Sequence, residues 1–450
     1  MPFDLVIHNG QIVTVNPGFE IIGNGCICIS GGKLVQVGPE PEGFSPPEAA
    51  QVIDAAGGIV MPGLVNTHTH LPMTLFRGLA DDLPLMQWLN EHIFPAEARF
   101  IHPENVKWAS RLACAEMLLS GTTCCCDGYF LEHEVAEAVV ESGMRAVLGQ
   151  GVIDFPAPGV ADPKENILAA VHFTDTWRSR SSLIRPSIFC HSPYTCTEQT
   201  LKTAKQAADE NGVLFQIHVA ETRGEVDRSY ADHGISPIAY LDRIGILDEK
   251  TLLVHAVWIS DGDIDIIART GARVSHNPES NMKLASGISP LPKLIGAGIC
   301  VGLGTDGCAS NNDLDLLHEM DLTAKLHKVS TLDPVAADAR TVLTMATAGG
   351  AKAIGLGRET GSLEIGKQAD VMILDMAKPH LVPMYHPESH IVYAAKGSDV
   401  RDVIVGGRVL VRNRQVLTLD VEEIMENVNR IAGAIRAEGK EEDGVLRTGD

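Results

Sequence analysis

The chain has 450 residues, of which 45% are hydrophobic and 21% are charged. This length suits one large α/β barrel with a smaller second domain, and the composition is typical of a globular protein. The formal net charge of −22 argues against nucleic acid as a partner, because phosphate binding requires clustered lysine and arginine. The charge therefore favours a neutral or cationic small molecule as the ligand.

The amino-terminal residues and the cysteines indicate a cytoplasmic protein with no membrane partner. Residues 1–6, MPFDLV, lack the basic segment and apolar core of a secretory signal, and no apolar run approaches the length of a membrane span. The ten cysteines form no paired C-x-x-C motif, and without an export signal we expect reduced thiols. The consecutive cysteines 124–126 are interpreted as small buried side chains.

The first 61 residues contain short apolar runs separated by turn signals. Asn9-Gly10 is a hairpin-turn signal between two such runs, and Gly31-Gly32 separates two more. The apolar runs cover residues 5–8, 12–15, 26–29 and 34–37. This pattern predicts a small unit of β-strands.

Between residues 62 and 369, strand-like apolar runs alternate with amphipathic helical stretches. Such alternation is typical of a parallel sheet, and eight strand–helix repeats close naturally into a (β/α)8 TIM barrel. The eight strands are predicted near residues 59–66, 122–126, 145–152, 186–190, 213–219, 251–256, 272–276 and 299–304.

Strand-like runs return after the barrel. They cover residues 369–375, 403–405 and 409–411, and the last two flank a glycine-containing turn. A helix is predicted at about 420–438, because Asp420 followed by Glu423 forms a capping-box signal. We expect residues 1–61 and 370–450 to combine into one small β-sandwich domain, so that the fold class is α/β.

The run at residues 59–70, IVMPGLVNTHTH, ends in His68 and His70. Side chains at positions i and i+2 of a strand point to the same side, so both imidazoles aim at one point. In barrels of this type the active site lies at the carboxyl ends of the strands. Polar residues also end five later strands: His191, His218 with Glu221, His255, His276 and Asp306.

Convergent imidazoles and a carboxylate predict a metal centre. His68, His70 and His218 would supply three nitrogen ligands and Asp306 an oxygen ligand, for one divalent ion per subunit. This mixed ligand set favours Zn²⁺, with Fe²⁺ and Mn²⁺ as alternatives. Such an ion lowers the pKa of a bound water to about 7 and so makes hydroxide available at neutral pH.

Three residues at the same strand ends are candidates for proton transfer. Asp306 can accept the proton of the water, and His255 can orient and polarise that water. Glu221 can deliver a proton to the leaving side of the substrate. His276 is interpreted as a structural group or as a hydrogen-bond partner of the ligands.

Several motifs resemble the amidohydrolase superfamily over nearly the whole chain. They are PGLVNTHTH at 62–70, HVAE at 218–221, His255, GTDG at 304–307 and GSLEIGKQAD at 361–370. Strand four ends in His191 and carries no lysine where binuclear members have a carbamylated lysine, which resembles the mononuclear deaminase branch. Finer motifs are similar to methylthioadenosine/S-adenosylhomocysteine deaminases: LPLMQWL at 83–89, IFPAE at 93–97, HSPY at 191–194 and SHNPESNMKL at 275–284.

The resemblance implies hydrolytic deamination of adenosine-type nucleosides, including methylthioadenosine, 5′-deoxyadenosine, adenosine and S-adenosylhomocysteine. It also implies that Glu97 binds the ribose hydroxyls and that His191 contacts the nucleoside, and it places Glu221 and Asp306 against the reacting base. From the residues alone, Glu97 would be a helix-surface charge. Trp88 would be a core residue, with a role in the substrate pocket as the alternative.

One departure bears on substrate choice. Some relatives have arginines after strand three that can hold an amino-acid carboxylate, whereas no arginine lies between Arg145 and Arg178 here. Loss of a bidentate arginine contact weakens recognition of a carboxylate. We therefore expect a preference for nucleosides with an uncharged 5′ group.

Two other functions remain open from the sequence. The same chemistry could act on guanine, a pterin or an s-triazine. The chain could also be a non-catalytic barrel scaffold, although such scaffolds typically lose the metal ligands that this sequence keeps. A homo-oligomer is a further expectation.

Overall fold

The computed structural model describes residues 3–446, with side chains as far as residue 437. The amino-terminal strands are β1 (Phe3–Val13), β2 (Ile21–Ser30), β3 (Lys33–Pro39), β4 (Ala49–Asp54) and β5 (Ile59–Pro62). The next strands are β6 (Leu64–Thr69), β7 (Thr122–Tyr129), β8 (Arg145–Val152), β9 (Ile184–Cys190), β10 (Leu214–Val219), β11 (Thr251–His255), β12 (Arg273–His276) and β13 (Val301–Leu303). The carboxy-terminal strands are β14 (Val371–Leu374), β15 (Val400–Val405), β16 (Arg408–Arg412) and β17 (Gln415–Val416).

Helices alternate with the central strands. They are α1 (Leu85–Gln87), α2 (Phe94–Phe100), α3 (Pro103–Leu119), α4 (Glu132–Ser142), α5 (Asn166–Trp177), α6 (Glu198–Asn211), α7 (Arg223–His233), α8 (Pro237–Arg243), α9 (Asp261–Thr270), α10 (Pro278–Lys283), α11 (Leu291–Gly296), α12 (Leu316–Thr331), α13 (Ala339–Met345), α14 (Ala348–Ala353), α15 (Pro387–Tyr393) and α16 (Val421–Leu446). A π-helical turn, Trp88–Ile93, joins α1 to α2. Short 3₁₀ helices cover Leu71–Phe76, Pro163–Glu165, Pro379–Leu381 and Gly397–Asp399.

Strands β6 to β13 form a parallel sheet in sequential order. The two end strands come together: the Asp306 backbone N–H donates to the His68 carbonyl at 3.0 Å, and Asn66 Nδ2 donates to Thr305 Oγ1 at 2.8 Å. All residues of β6, β7 and β8 are buried, as expected for strands covered by helices. The predicted (β/α)8 barrel is confirmed.

The prediction of one strand over residues 59–66 is wrong. The run divides at Gly63 into β5 and β6, which belong to different sheets. A Cβ atom at residue 63 would lie 2.1 Å from Thr123 Cγ2, so only glycine allows the chain to pass there. Both halves are apolar and buried, and hydrophobic periodicity alone therefore does not reveal the change of sheet.

The other nine strands form one mixed sheet. Both terminal regions contribute strands to it, as predicted. Strand β14 pairs antiparallel with β5, and β5 pairs parallel with β1, which joins the two ends of the chain. Side chains from both regions share a separate core: Leu5, Ile7, Ile12, Ile27, Ile29, Leu34, Ile53, Val60, Val371, Ile373 and Ile404. The domain boundaries near residues 61 and 370 stay a prediction.

Helix α16 covers Val421–Leu446, longer than the predicted 420–438. The Asp420 side chain accepts the backbone N–H of Glu423 at 3.0 Å, which caps the helix. Ile424, Val428 and Ile431 are buried in the main core, and α16 packs on α3. Among residues 3–446, no helix has both the length and the apolar character that crossing a bilayer would require.

The three consecutive cysteines lie in strand β7, and all three are buried. Cys124 and Cys126 pack with Val65 and Val147, whereas Cys125 belongs to the main core. Alternate residues of a strand face opposite sides, which explains this division. Burial raises the pKa of the Cys124 thiol to about 12, so that this thiol is protonated at neutral pH.

A buried ion pair joins the barrel to the mixed sheet. Arg145 in β8 contacts both carboxylate oxygens of Asp370, through Nε at 2.9 Å and Nη2 at 3.2 Å. Asp370 also accepts the Thr360 hydroxyl at 2.8 Å and the Gly406 N–H at 2.7 Å. Every oxygen of this carboxylate is therefore satisfied within the protein.

Asp370→Ala is expected to lower the free energy of unfolding by about 3–5 kcal/mol, because it leaves the Arg145 charge buried and unpaired. Urea denaturation followed by circular dichroism measures this loss. Glu198→Ala removes one partner of the exposed pair between Glu198 and Lys202 and should leave the free energy of unfolding nearly unchanged. Equal effects of the two substitutions would contradict a structural role for the buried pair.

Candidate active site

His68 and His70 converge with Asp306 at the carboxyl end of the barrel. His68 Nε2 lies 3.4 Å from Asp306 Oδ1, and His70 Nε2 lies 3.3 Å from the same oxygen. Strand β6 positions the two histidines, and Asp306 follows β13, the strand beside β6 in the closed barrel. The predicted juxtaposition of the first and last strands thus places these three side chains together.

His218 at the end of β10 and His255 at the end of β11 approach the same point. His218 Nε2 lies 3.1 Å from His68 Nε2. At the carboxyl end of the barrel, two overlapping triads have ligand atoms within 4.8 Å of one another: His68, His70 and Asp306, and His68, His218 and His255. The four predicted ligands are therefore gathered at one place, together with a fifth candidate, His255.

Hydrogen bonds orient two of these imidazoles. His70 Nδ1 lies 2.6 Å from the Gly128 carbonyl, which only accepts, so Nδ1 carries the proton. His255 Nδ1 donates in the same way to Asn281 Oδ1 at 2.9 Å. In both rings the Nε2 lone pair is left directed toward the centre, which is the arrangement found in metal-ligating histidines.

The charge state of the cluster suits a divalent cation. Burial lowers the pKa of His68 to about 4 and lowers the pKa of His218 well below its usual value. Burial alone would raise the pKa of Asp306, but hydrogen bonding to His68 and the nearby His70 hold it well below the ordinary range. Neutral imidazoles thus face an ionised carboxylate, and the donor set fits a bound metal.

Surrounding groups hold the Asp306 carboxylate in place. Its Oδ1 accepts the Gly307 N–H at 2.8 Å, and its Oδ2 accepts the hydroxyls of Ser280 at 2.7 Å and Ser310 at 3.0 Å. The backbone of Asp306 has a φ of 63°, a left-handed conformation that aspartate adopts at a cost of order 1–3 kcal/mol. His255 has the same kind of conformation, with a φ of 75°.

Glu221 lies just beyond β10, on a loop that Glu225 stabilises. The Glu225 carboxylate accepts the backbone N–H groups of Ala220 at 2.7 Å and Glu221 at 2.8 Å. The Glu221 side chain accepts the Ser286 hydroxyl at 3.0 Å and lies 3.6 Å from His255 Nε2. Burial raises the pKa of Glu221, which favours a group able to hold and deliver a proton.

A cavity opens onto this cluster. Its walls include every predicted site residue except His68, which is completely buried behind them. The predicted residues on the walls are His70, Trp88, Glu97, His191, His218, Glu221, His255 and Asp306. The walls also carry apolar and aromatic side chains, and an apolar cleft with a few convergent polar groups is typical of small-molecule sites.

Glu97 and Trp88 reach the cavity from the segment between β6 and α3. Glu97 in α2 is buried, and the Tyr129 hydroxyl donates a hydrogen bond to it. Burial raises the pKa of Glu97 to about 7. Trp88 Nε1 donates to the Ala80 carbonyl at 3.1 Å, which anchors the indole in the wall. A helix-surface position for Glu97, expected from the residues alone, is wrong.

His191, at the end of β9, lies on the opposite part of the wall. Its Nδ1 is 2.9 Å from Thr195 Oγ1, and burial lowers the pKa of the ring to about 3. His276 has a different surrounding: its Nε2 lies 2.9 Å from Nε2 of the buried His327, and it does not line the cavity. This contact supports the structural interpretation of His276.

Sequence reasoning missed several residues of the site. Tyr129 was not identified as a site residue because the sequence predicts that β7 ends at residue 126, whereas the strand continues to residue 129. A buried aromatic at the end of a barrel strand would have been the signal. Ser280 and Asn281 lie within the motif SHNPESNMKL at 275–284, but that motif by itself gives no role for them. Glu225 is detectable only through the backbone groups that it binds.

The chain is similar over most of its length to curated deaminases. Residues 59–410 match the Amidohydrolase family. The 5-methylthioadenosine/S-adenosylhomocysteine deaminase of Syntrophobacter fumaroxidans is 47% identical over 433 residues, 96% of this chain and 98% of that protein. The 5′-deoxyadenosine deaminase of Methanosarcina acetivorans is 46% identical over 432 residues, 95% of this chain and 98% of that protein.

A solved structure has nearly the same fold. The crystal structure of an adenosine deaminase from Xanthomonas campestris with bound zinc superposes with a TM-score of 0.94 and 38% sequence identity. The match covers 97% of this chain and 99% of that chain.

Proposed function

Because the chain belongs to the amidohydrolase family, we propose that it is a metal-dependent deaminase of adenosine-type nucleosides. The reaction replaces the 6-amino group of the purine with oxygen from water and releases ammonia and an inosine-type product. The observation that carries this proposal is the cluster of neutral imidazoles and an ionised carboxylate at the base of a cavity lined by apolar side chains. Relatives named as deaminases of methylthioadenosine and 5′-deoxyadenosine support the substrate class.

His68, His70, His218 and Asp306 would hold one divalent ion per subunit. Three nitrogens and one oxygen favour Zn²⁺, in agreement with the zinc in the Xanthomonas campestris structure. A divalent ion in such a site supplies Lewis-acid activation of water, lowering the pKa of the water to about 7.

The proton transfers of the reaction are assigned to side chains of the protein itself. Asp306 and His255 accept the proton of the water as its oxygen adds to C6 of the purine. Glu221 delivers a proton to the adjacent ring nitrogen, which neutralises the charge that develops there. The proton taken from the water passes to the amino group, which leaves as ammonia. The second proton of the former water returns to Glu221, so that the product keeps the oxygen as a carbonyl at C6.

Glu97, His191 and Trp88 would select the nucleoside. The Glu97 carboxylate accepts hydrogen bonds from the ribose hydroxyls. The Tyr129 hydroxyl fixes the orientation of that carboxylate. His191 contacts the nucleoside from the other side of the cavity, and Trp88 contributes an apolar wall. Glu221 and Asp306 contact the base itself.

The decisive experiment is ammonia release from a panel of substrates with zinc-replete protein. Methylthioadenosine, 5′-deoxyadenosine and adenosine should release ammonia, whereas guanine, a pterin and an s-triazine should not. Turnover of one of these heterocycles in place of every nucleoside would overturn the proposal.

A cytoplasmic location and assembly of identical chains are also proposed, with neither nucleic acid nor a membrane as a partner.

Methylthioadenosine is expected to have at least about a tenfold higher kcat/KM than S-adenosylhomocysteine, because no arginine follows β8 until Arg178. Steady-state kinetics on the two substrates measure this ratio. S-adenosylhomocysteine with its carboxylate esterified provides the control. Esterification should bring its kcat/KM closer to that of methylthioadenosine. A higher kcat/KM for S-adenosylhomocysteine would refute the preference.

A further inference from the structure

A second cluster of potential metal ligands lies behind the active site. His318 in α12 has Nδ1 at 3.1 Å from Asp313 Oδ2 and at 3.3 Å from Glu279 Oε1. Glu279 belongs to α10, and Asp313 precedes α12. One ligand atom from each of the three residues lies within 4.8 Å of the others. We call this set the α10–α12 cluster.

A fourth carboxylate lies beside the cluster with one oxygen unsatisfied. Glu319 is completely buried, and its Oε1 accepts the backbone N–H of Glu279 at 3.3 Å. Its Oε2 has no hydrogen-bond partner within the described part of the chain, and neither does Oε2 of Glu279. Buried carboxylate oxygens are normally paired, because an unpaired one loses its hydration without compensation.

We propose that Glu279, Asp313 and His318 bind a divalent cation, with Glu319 facing the site from the protein interior. Ligand atoms bound at about 2.0–2.2 Å lie no more than about 4.4 Å apart, so the cluster needs only a small contraction. One imidazole nitrogen with carboxylate oxygens suits Zn²⁺ or Mn²⁺. The unsatisfied oxygens of Glu279 and Glu319 would then have a positive partner.

The local charge supports this assignment. Burial opposes protonation of His318, yet the carboxylates of Glu279 and Asp313 raise its pKa above the usual value. Burial and the neighbouring Asp313 carboxylate raise the pKa of Glu279 to about 7, and burial with the nearby Glu279 raises the pKa of Glu319 well above its usual value. The crowded carboxyl groups thus oppose one another's ionisation, and a divalent cation between them would relieve that repulsion.

The proposed ion would be linked to the active site through α10. The two residues after Glu279 contact the centre: Ser280 donates to Asp306 and Asn281 accepts from His255. An ion that joins Glu279 to Asp313 and His318 would fix α10 against α12, and so fix the groups that orient Asp306 and His255. The site is thus a structural one that lies outside the substrate cavity.

Metal content of the full-length protein tests this proposal. Chelated protein is dialysed against Zn²⁺, and separately against Mn²⁺, and the ions per chain are counted by mass spectrometry. We expect two ions per chain in the wild type and one in His318→Ala, with at least about tenfold weaker binding of the second ion in Asp313→Asn. Asp227→Ala, an exposed carboxylate in α7, is the control and should keep two ions.

A variant that lacks an active-site ligand distinguishes metal bound at the α10–α12 cluster from metal bound in the active site. In His218→Ala, the α10–α12 cluster should still bind one ion, and adding His318→Ala should remove it. In the His218→Ala background, adding Mn²⁺ should also raise the melting temperature, and adding His318→Ala should abolish that rise. Equal metal content in the wild type, His318→Ala and Asp313→Asn would overturn the proposal.

Discussion

Glu221→Gln is expected to lower kcat for methylthioadenosine by about 10²–10⁴-fold, the usual contribution of a general acid–base group. Glutamine keeps the shape of the side chain but has no proton to exchange with the ring nitrogen. The hydrogen bond from Ser286 to the side-chain oxygen can persist, and Glu225 still holds the backbone of the loop. The loss should therefore appear in kcat and not in folding.

The same variant should keep its metal ion, because Glu221 is not among the proposed ligands. Metal content and steady-state kinetics on one preparation separate the two effects. Glu198→Gln, an exposed carboxylate at the start of α6, is the matched control and should have wild-type kinetics. A Glu221→Gln variant with near-native turnover would remove Glu221 from the mechanism.

His70→Ala and His255→Ala are expected to differ in kind. His70 is a proposed ligand, so His70→Ala should lose the tightly bound ion and with it detectable activity. His255 is assigned to the protons of the water, so His255→Ala should keep the ion and lose about 10²–10⁴-fold in kcat. Metal counting after dialysis and single-substrate kinetics give both quantities.

This comparison decides between the two overlapping triads. The triad of His68, His218 and His255 meets the same limit of 4.8 Å between ligand atoms as the triad of His68, His70 and Asp306. Adding Zn²⁺ in excess should restore activity to chelated wild-type protein, which provides the positive control. If His255→Ala loses the ion and His70→Ala keeps it, the proposed ligand set is wrong.

The positions of the strands were largely accessible from the sequence. Strands β7 to β13 agree with the predicted strands to within three residues at each end. Buried parallel strands are continuous apolar runs, and such runs are conspicuous between amphipathic helices. The exception, at Gly63, is a change of sheet within one apolar run, where the decisive contact is with Thr123, sixty residues away.

The candidate site was predictable where its residues end strands. His68, His70, His218, His255 and Asp306 follow strands whose carboxyl ends meet at one face of the barrel, so their proximity follows from the closed fold. The groups that orient them are less visible. Ser286 lies 65 residues after Glu221, and Tyr129 lies 32 residues after Glu97.

The sequence by itself therefore determined the barrel, the join of the two chain ends and the residue types gathered at the strand ends. These features follow from local periodicity and from the common direction of parallel strands. Only the tertiary structure decided which imidazole nitrogens face Asp306, that Glu225 and Ser286 fix Glu221, and that Glu279 and His318 lie together. Those contacts join loops and helices that are distant in sequence. Their geometry depends on the register and closure of the whole barrel, which a local sequence pattern does not contain.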